Sequence, residues 1–531
     1  MPLSNPRSLV PALHLTLLIV AASPLIGQEP LVVGNRRQLL LDETLVQLRK
    51  GVDFVVHSPR KTGDIILASE PGLSLGGYHS VLFDAGRYHL WYSVEGCVLY
   101  ARSTDGIHWE KPNLNLGGTA RADGLVNPPN LVIGRGVGGV KGGTHGLMVF
   151  VDPKSGPDER FKLVFNPHEF ESQLQIFSSP DGIHWKHAHR NVVTFDPEVK
   201  PNHLDSQNVI FWDERVQKYV AYFRKNVRDP GPGGAKIPRT RAVARAESAD
   251  LRFFAKADET TVVLRADPDN VVKPAAAKEG WTLLDVYTSG AIKYPWGDAY
   301  LAFPTEYYHY GAQVAEFRPD SPVNAGAVDT RFASSRDGIA WQRYDQRAFV
   351  GVGMKGEFDS KRIYMVYGIV PANNDRELFM YYMGTSETHG WDRDDRNNRL
   401  LMSADLAPIG PSVISRVVLR RDGFVSARAG FKGGEFTTPV LRFSGDQLLL
   451  NVNTGAAGEL RVEALDPSGK PYPNFALTDC DLVHTANEIN RIVKWKGNTS
   501  LSALAGKPVR LRFVLRDTDV YAFQFAERGG I

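Results

Sequence analysis

Cysteine is almost absent: Cys97 and Cys480 are the only two in 531 residues and stand 383 positions apart, so a disulfide scaffold is excluded and stability has to come from a buried core. Beyond the N-terminus no window approaches ~18 uninterrupted apolar residues, which excludes a membrane-spanning helix. Long basic runs are missing too. With 62 Lys and Arg against 59 Asp and Glu the formal charge is +3, and the sequence offers no electrostatic footprint for nucleic acid. Runs with 3.6-residue apolar periodicity are scarce, which disfavours an α/β barrel of this length. Glycine, by contrast, is in excess: 50 residues, about 9% against a usual ~7%, point to a turn-rich β protein. A hydrophobic share of 43% supplies a large core and excludes disorder.

Residues 1–28 carry one early cation, Arg7, then an apolar stretch from Leu9 to Val20 interrupted by Pro11, His14 and Thr16, then Ala21, Ala22 and Ser23. That order of basic, apolar and small residues is expected of a secretory signal peptide, so the mature chain is expected to be secreted or periplasmic.

One short string recurs along the chain. It reads Ser103-Thr104-Asp105-Gly106-Ile107-His108-Trp109, then Ser179-Pro180-Asp181-Gly182-Ile183-His184-Trp185, then Ser335-Arg336-Asp337-Gly338-Ile339-Ala340-Trp341. Weaker copies stand at Ser248-Ala249-Asp250-Leu251-Arg252-Phe253 and Arg421-Asp422-Gly423-Phe424. Their aspartates are 76, 69, 87 and 85 residues apart, a period too long for a solenoid or β-helix. Each copy follows runs of alternating aromatic and β-branched residues bounded by turn residues, such as Tyr78 to Phe83, Tyr88 to Tyr92 and Val98 to Ala101. Three strands, an Asp-Gly turn and a fourth strand make one unit, and the trailing tryptophan is expected to pack across neighbouring strands.

Five such units predict an all-β chain: a five-bladed β-propeller over residues 29–429, followed by a C-terminal antiparallel β-sandwich over residues 430–531. Leu31 to Val46 is the expected ring-closing strand. The sandwich is expected either to bind glycan or to pack against the propeller.

In a propeller the first strand of each blade lines the central channel, so the residues that open these strands converge. They are Tyr78-His79-Ser80, Thr144-His145, His203 to Asn208 with Asp205 and Gln207, Asp285-Val286-Tyr287, and Glu357-Phe358-Asp359-Ser360. Acids and histidines around a funnel suit glycosidic bond cleavage, which needs one protonated carboxyl and one ionised carboxylate. Mutual repulsion among close carboxylates is expected to raise one of them. The candidate catalytic residues are therefore Asp205, Asp285, Glu357 and Asp359. The candidate substrate contacts are His79, His145, His203, Gln207, Tyr287, Tyr307 and His309, with Tyr308, Tyr310 and Trp296 as further aromatics. Asp105, Asp181 and Asp337 are read as structural. No metal-ligand spacing is present and no cofactor is expected; a calcium ion in the channel is a hypothesis with no motif behind it. The expected partner is carbohydrate.

With these S-x-D-G-x-x-W blades, and Asp422-Gly423-Phe424-Val425-Ser426 leading into a sandwich, the chain resembles the five-bladed propeller glycoside hydrolases that include levansucrase, invertase and arabinanase-like families. It is most similar to secreted bacterial proteins labelled as family 32-like hydrolases. The resemblance implies a secreted carbohydrate-active enzyme with an axial site of three acids. Departures accompany it. Gly76-Gly77-Tyr78-His79-Ser80 stands where invertase-like enzymes place the W-M-N-D-P-N-G nucleophile segment, Arg228-Asp229-Pro230 matches the second motif in letters only, and the third, Glu-Cys, is missing. Catalytic roles therefore align by blade position rather than by motif. A non-catalytic glycan-binding or scaffold propeller is the alternative.

Overall fold

The computed structural model describes residues 29–70, 73–120, 127–138, 143–167, 174–191, 204–227, 240–252, 254, 260–266, 283–309, 326–344, 347–389 and 412–529. The expected signal segment, residues 1–28, lies outside them, as does the Arg228-Asp229-Pro230 string. Among the described residues the regular structure is strand, with short 3₁₀ turns and no α-helix.

The first unit is a four-stranded antiparallel sheet of Leu75–Asp84, Arg87–Val94, Cys97–Ser103 and Leu131–Ile133. Its two hairpins turn on Ala85-Gly86 and Glu95-Gly96, whose φ values are all positive, the backbone that a two-residue hairpin loop requires. The expected fourth strand directly after the Asp-Gly turn is reduced to a single bridge between Arg102 and Glu110. Pro112 has no N–H to continue that ladder, and Leu131–Ile133 takes the edge instead. The second unit, Thr144–Val151, Phe161–Pro167, Leu174–Ser179 and Lys186–Asn191, and the third, Val209–Asp213, Lys218–Val227, Thr240–Ser248 and Thr261–Leu264, follow the expected plan.

The fourth unit departs from it. The run expected from Tyr287 to Tyr294 breaks at Gly290, with φ 51°, and the run through Phe303 breaks at Pro304. Each hairpin is thereby divided into two pieces. Ile292–Lys293, Tyr300–Ala302, Ala333–Ser335 and Trp341–Arg343 form one small sheet. Leu283–Thr288, Thr305–His309 and Val328–Thr330 instead join the fifth unit, Arg362–Met365, Glu377–Thr385 and Val413–Arg420, in a larger sheet.

Val413–Arg420 pairs with Glu377–Thr385 on one side and on the other with Arg60–Lys61 and Leu67–Ala68, not with the expected Leu31 to Val46 segment. That segment goes elsewhere: Leu31–Gly34 runs parallel to Leu441–Phe443, and Gln38–Leu39 pairs with Thr518–Ala526. Leu48–Lys50 and Asp53–Val56 likewise pair with Gly434–Thr437 and Val425–Ala429. Residues 31–56 thus share their hydrogen bonds with the C-terminal strands, where one core joins two sheets through Leu448, Leu450, Phe523 and Phe525 on one side and Val462, Leu511, Phe513 and Leu515 on the other.

The recurring turns tie neighbouring units together. In each strong copy the aspartate accepts the N–H groups two and three residues on, as Asp105 Oδ1 does from Ile107 and His108 at 2.8 Å each. The glycine has φ of 73° at Gly106, 76° at Gly182 and 74° at Gly338, and its carbonyl accepts from an aromatic of the preceding unit: Tyr381 on Gly106 at 2.6 Å, Trp91 on Gly182 at 2.7 Å, Tyr222 on Gly338 at 2.7 Å. A Cβ on these glycines would meet the same aromatic at 2.9, 2.6 and 2.6 Å, so glycine is required twice over, by φ and by space. The trailing Trp109, Trp185 and Trp341 pack edge-on against that aromatic with centroids 5.7, 6.5 and 5.8 Å apart. The three aspartates are spent on these turns. For Asp181, burial pushes the carboxyl up, but the hydrogen bonds from His184, Ile183 and Ser179 outweigh it and hold it at about 2.

The Asp422 copy is different in kind. Asp422 is fully buried, accepts Tyr294 Oη at 2.7 Å and Asn451 Nδ2 at 3.0 Å, and pairs with Arg37 Nε at 2.5 Å. Arg37 itself reaches the Ile489 carbonyl at 2.7 Å and Asn490 at 2.9 Å. One ion pair therefore joins the N-terminal segment, the fourth unit and the C-terminal sheets.

Candidate functional site

The opening residues of the first strands do converge. Tyr78 from the first unit, His145 from the second, Tyr287 from the fourth, and Arg362, Tyr364 and His389 from the fifth line a cavity of about 420 Å³. The third unit supplies Asp205, whose Oδ1 lies 2.8 Å from His145 Nε2. Asn208 sets that turn by donating to the Leu204 and Ser206 carbonyls at 3.0 and 2.9 Å, while its Oδ1 accepts the Arg224 N–H at 3.1 Å. Arg224 in turn donates to the Asp205 carbonyl at 2.8 Å and stands 3.7 Å from its carboxylate.

Asp285 lies opposite Tyr307 on the neighbouring strand and is almost wholly buried, at 3% exposure. It accepts the Arg241 N–H at 2.7 Å and faces the Arg241 guanidinium at 3.2 Å. Arg241 lies over the rings of Tyr287 at 4.6 Å and Tyr307 at 5.6 Å. Rings close the remaining gaps: Tyr78 meets His145 edge-on at 5.1 Å and Tyr364 at 5.8 Å, and His389 contacts Tyr287 at 5.0 Å and Tyr307 at 4.6 Å. The Tyr364 hydroxyl is 2.8 Å from His389 Nδ1.

The electrostatics differ from the expected repulsion between acids. Burial pushes the Asp205 carboxyl up, but its hydrogen bond to His145 and the charges of His145, Arg224 and Arg241 prevail and hold it below the ordinary carboxylate value. Asp205 and Asp285 each face a cation rather than another acid. Burial, with neighbouring phenols, raises the Tyr78 and Tyr364 hydroxyls, and burial raises that of Tyr307. The carboxyl that is raised, to about 6, is Asp329, through burial and the Glu306 charge, which Arg331 opposes. Ladder alternation puts Asp329 and Glu306 on the face opposite Asp285 and Tyr307.

Other candidates lie apart from the cavity. Asp359 bonds Lys61 Nζ at 2.7 Å and the Tyr382 hydroxyl at 2.8 Å, and Tyr382 occupies the face of its strand opposite Met383, which lines the cavity. Glu357 accepts the Met354 N–H at 2.8 Å, beside Asp359 around Gly353. Gln207 spends both amide hydrogens on the His79 and Leu147 carbonyls, at 3.1 and 2.6 Å, and so ties three units together. Trp296 lines a different cavity, with Arg36, Trp212 and Tyr294. His203, Tyr310 and the side chain of His309 lie outside the described residues.

His79 is fully buried and accepts the Ser93 N–H on Nδ1 at 3.1 Å. Burial pulls it down to about 3. The unfolded chain therefore binds more protons between pH 6.5 and 3, and the folded state loses stability as pH falls through that window. His79→Leu is expected to flatten that part of the profile of melting temperature against pH, beneath the background set by the carboxylates.

Among the described residues no group of three or more His, Cys, Asp or Glu side chains is placed to hold a metal ion, and no helix is long and apolar enough to cross a membrane. Sequence reading missed Arg224, Arg241, Arg362 and His389. Arg241 and Arg362 stand at strand starts, where a cation is read as a solvated end unless its partner is known, and Arg224 lies inside Lys218–Val227 among residues read as strand core.

No protein-family model matches the sequence, and no curated protein matches it. Among solved structures, the chain is similar to a family 43 arabinoxylan arabinofuranohydrolase from Bacillus subtilis (14% identity, 88% of this chain and 99% of that one, TM-score 0.37). It is also similar to a β-1,2-mannobiose phosphorylase from Listeria innocua (13%, 70% and 98%, TM-score 0.41) and to an N-acetylgalactosamine deacetylase from F. plautii (12%, 71% and 97%, TM-score 0.41). Several further matches are named glycoside hydrolases. At this overlap no activity is read across from them.

Proposed function

We propose that the chain is an exported glycoside hydrolase, built as a five-bladed β-propeller with a β-sandwich to which residues 31–56 contribute, and that the cavity is its active site. One observation carries this reading: all five repeat units bring side chains to the cavity or its immediate border, where two carboxylates, two histidines and several tyrosines meet. Tyrosine rings offer flat apolar faces with polar edges, which suits a sugar. Asp205, held ionised, serves as the base or nucleophile and orients His145 toward the cavity, while Asp285 fixes Arg241. Glu357 and Asp359 take no part in this reading, because their contacts lie across the sheet.

The test is release of reducing ends from a panel of oligo- and polysaccharides by the mature protein. Release that Asp205→Asn abolishes supports the proposal. Glycan binding without release from any substrate overturns it in favour of the non-catalytic alternative.

A further inference from the structure

The charges at the cavity do not cancel in pairs. Asp205 answers Arg224 and His145, and Asp285 answers Arg241. Arg362, which lines the same cavity, has no carboxylate within ion-pair distance among the described residues. Its Nε is buried without a hydrogen-bond acceptor, and its Nη1 reaches the Thr388 carbonyl only at 3.5 Å. The guanidinium lies 5.8 Å from the Tyr364 ring centroid, so the aromatic wall holds it in place without neutralising it. Glu95 also lines the cavity, but it is exposed at the rim, where it accepts the Ser74 N–H at 3.1 Å. Arg362 is half-buried with its guanidinium on the cavity wall, so its unused donors are open to an anion from the cavity, and its planar fork matches a carboxylate or another oxyanion.

We propose that the cavity receives a sugar bearing an anionic substituent, a carboxylate or a sulfate, and that Arg362 is the residue that pairs with it. The inference rests on the glycan-active reading above and adds the substrate class. His145 and His389 line the same space. Arg224 and Arg241 are already paired with Asp205 and Asp285, which leaves Arg362 as the cation open to the ligand's charge.

Binding by the full mature chain is to be measured by calorimetry against polygalacturonate and glucuronoxylan for carboxylates, carrageenan for sulfate, and arabinan and inulin as neutral glycans. The expected result is preference for one of the acidic glycans, weakening as salt rises. Arg362→Gln is expected to lose about 10- to 100-fold in affinity for it, and Arg362→Lys to recover part of that loss. The two acidic arms tell carboxylate from sulfate. Preference for neutral glycans overturns the inference while leaving the glycan-active reading intact, and so does a folded Arg362→Gln that binds acidic glycan as well as wild type. If Arg362→Gln fails to fold, a wild-type affinity for acidic glycan that is independent of salt overturns it equally. Binding to no glycan overturns the glycan-active reading and this one with it.

Discussion

Asp205→Asn is expected to lower turnover of a cleaved glycan by about 10²- to 10⁴-fold, the range that a positioned proton-transfer group contributes. The substitution keeps the shape of the side chain and removes its charge. What is lost is the ionised partner of His145 at 2.8 Å and the counter-charge of Arg224 at 3.7 Å. Because the Asp205 side chain retains 38% exposure, the fold is expected to tolerate the change, and the melting temperature should stay close to that of wild type. A fall in kcat with little change in KM would mark loss of a group acting in the transition state. The acid side of the wild-type rate profile carries the same signature. Asp205 is held below the ordinary carboxylate value, so activity that needs its ionised form persists below the usual carboxylate range and falls only as pH drops through the lowered pKa.

Asp422→Ala is expected to be the most destabilising single substitution at the junction with the C-terminal sheets, at about 3 to 5 kcal/mol, the usual cost of removing one partner from a buried ion pair. The residue is fully buried and holds three side chains through four contacts: its carboxylate meets Arg37, Tyr294 and Asn451, and its own N–H donates to the Tyr294 hydroxyl at 3.1 Å. Alanine leaves Arg37, itself 5% exposed, without its counter-charge. Arg37→Met combined with Asp422→Ala is expected to be less damaging than the sum of the two, because neither charge is then left alone. Urea unfolding midpoints of the two single variants and the double variant measure this coupling, and additive losses would refute it.

Much of the architecture was legible because it repeats. Asp-Gly turns at Asp105, Asp181 and Asp337 mark strand ends directly, and alternation between them gives the first three strands of each of the first three units, while the first unit's edge strand lies further on at Leu131–Ile133. What escaped depended on contacts between distant segments. The Leu31 to Val46 run has a strand's composition, but composition does not say which sheet it enters, and its partners lie more than 400 residues on, at Leu441 and Ala522. The split of the fourth unit was written in Gly290 and Pro304, both visible in the sequence, yet only the competing ladders show that the chain changes sheet there. At the site, converging strand openings brought Tyr78, His145, Asp205, Asp285 and Tyr287 together. The same rule placed Glu357 and Asp359 beside them, although the side chain that faces the cavity is Arg362, three residues further on. Alternation within a strand, unlike the repeat period, shifts with a single residue.

The aromatic-to-glycine ties also set an order of assembly. The ties from Trp91 to Gly182 and from Tyr222 to Gly338 join residues 91 and 116 positions apart, whereas the one from Tyr381 to Gly106 spans 275. Loop-closure entropy grows only logarithmically, so this last seam costs about 1 kcal/mol more than the first. Local hairpins are therefore expected to form before this long-range tie, as contact order predicts for a chain so rich in non-local pairings.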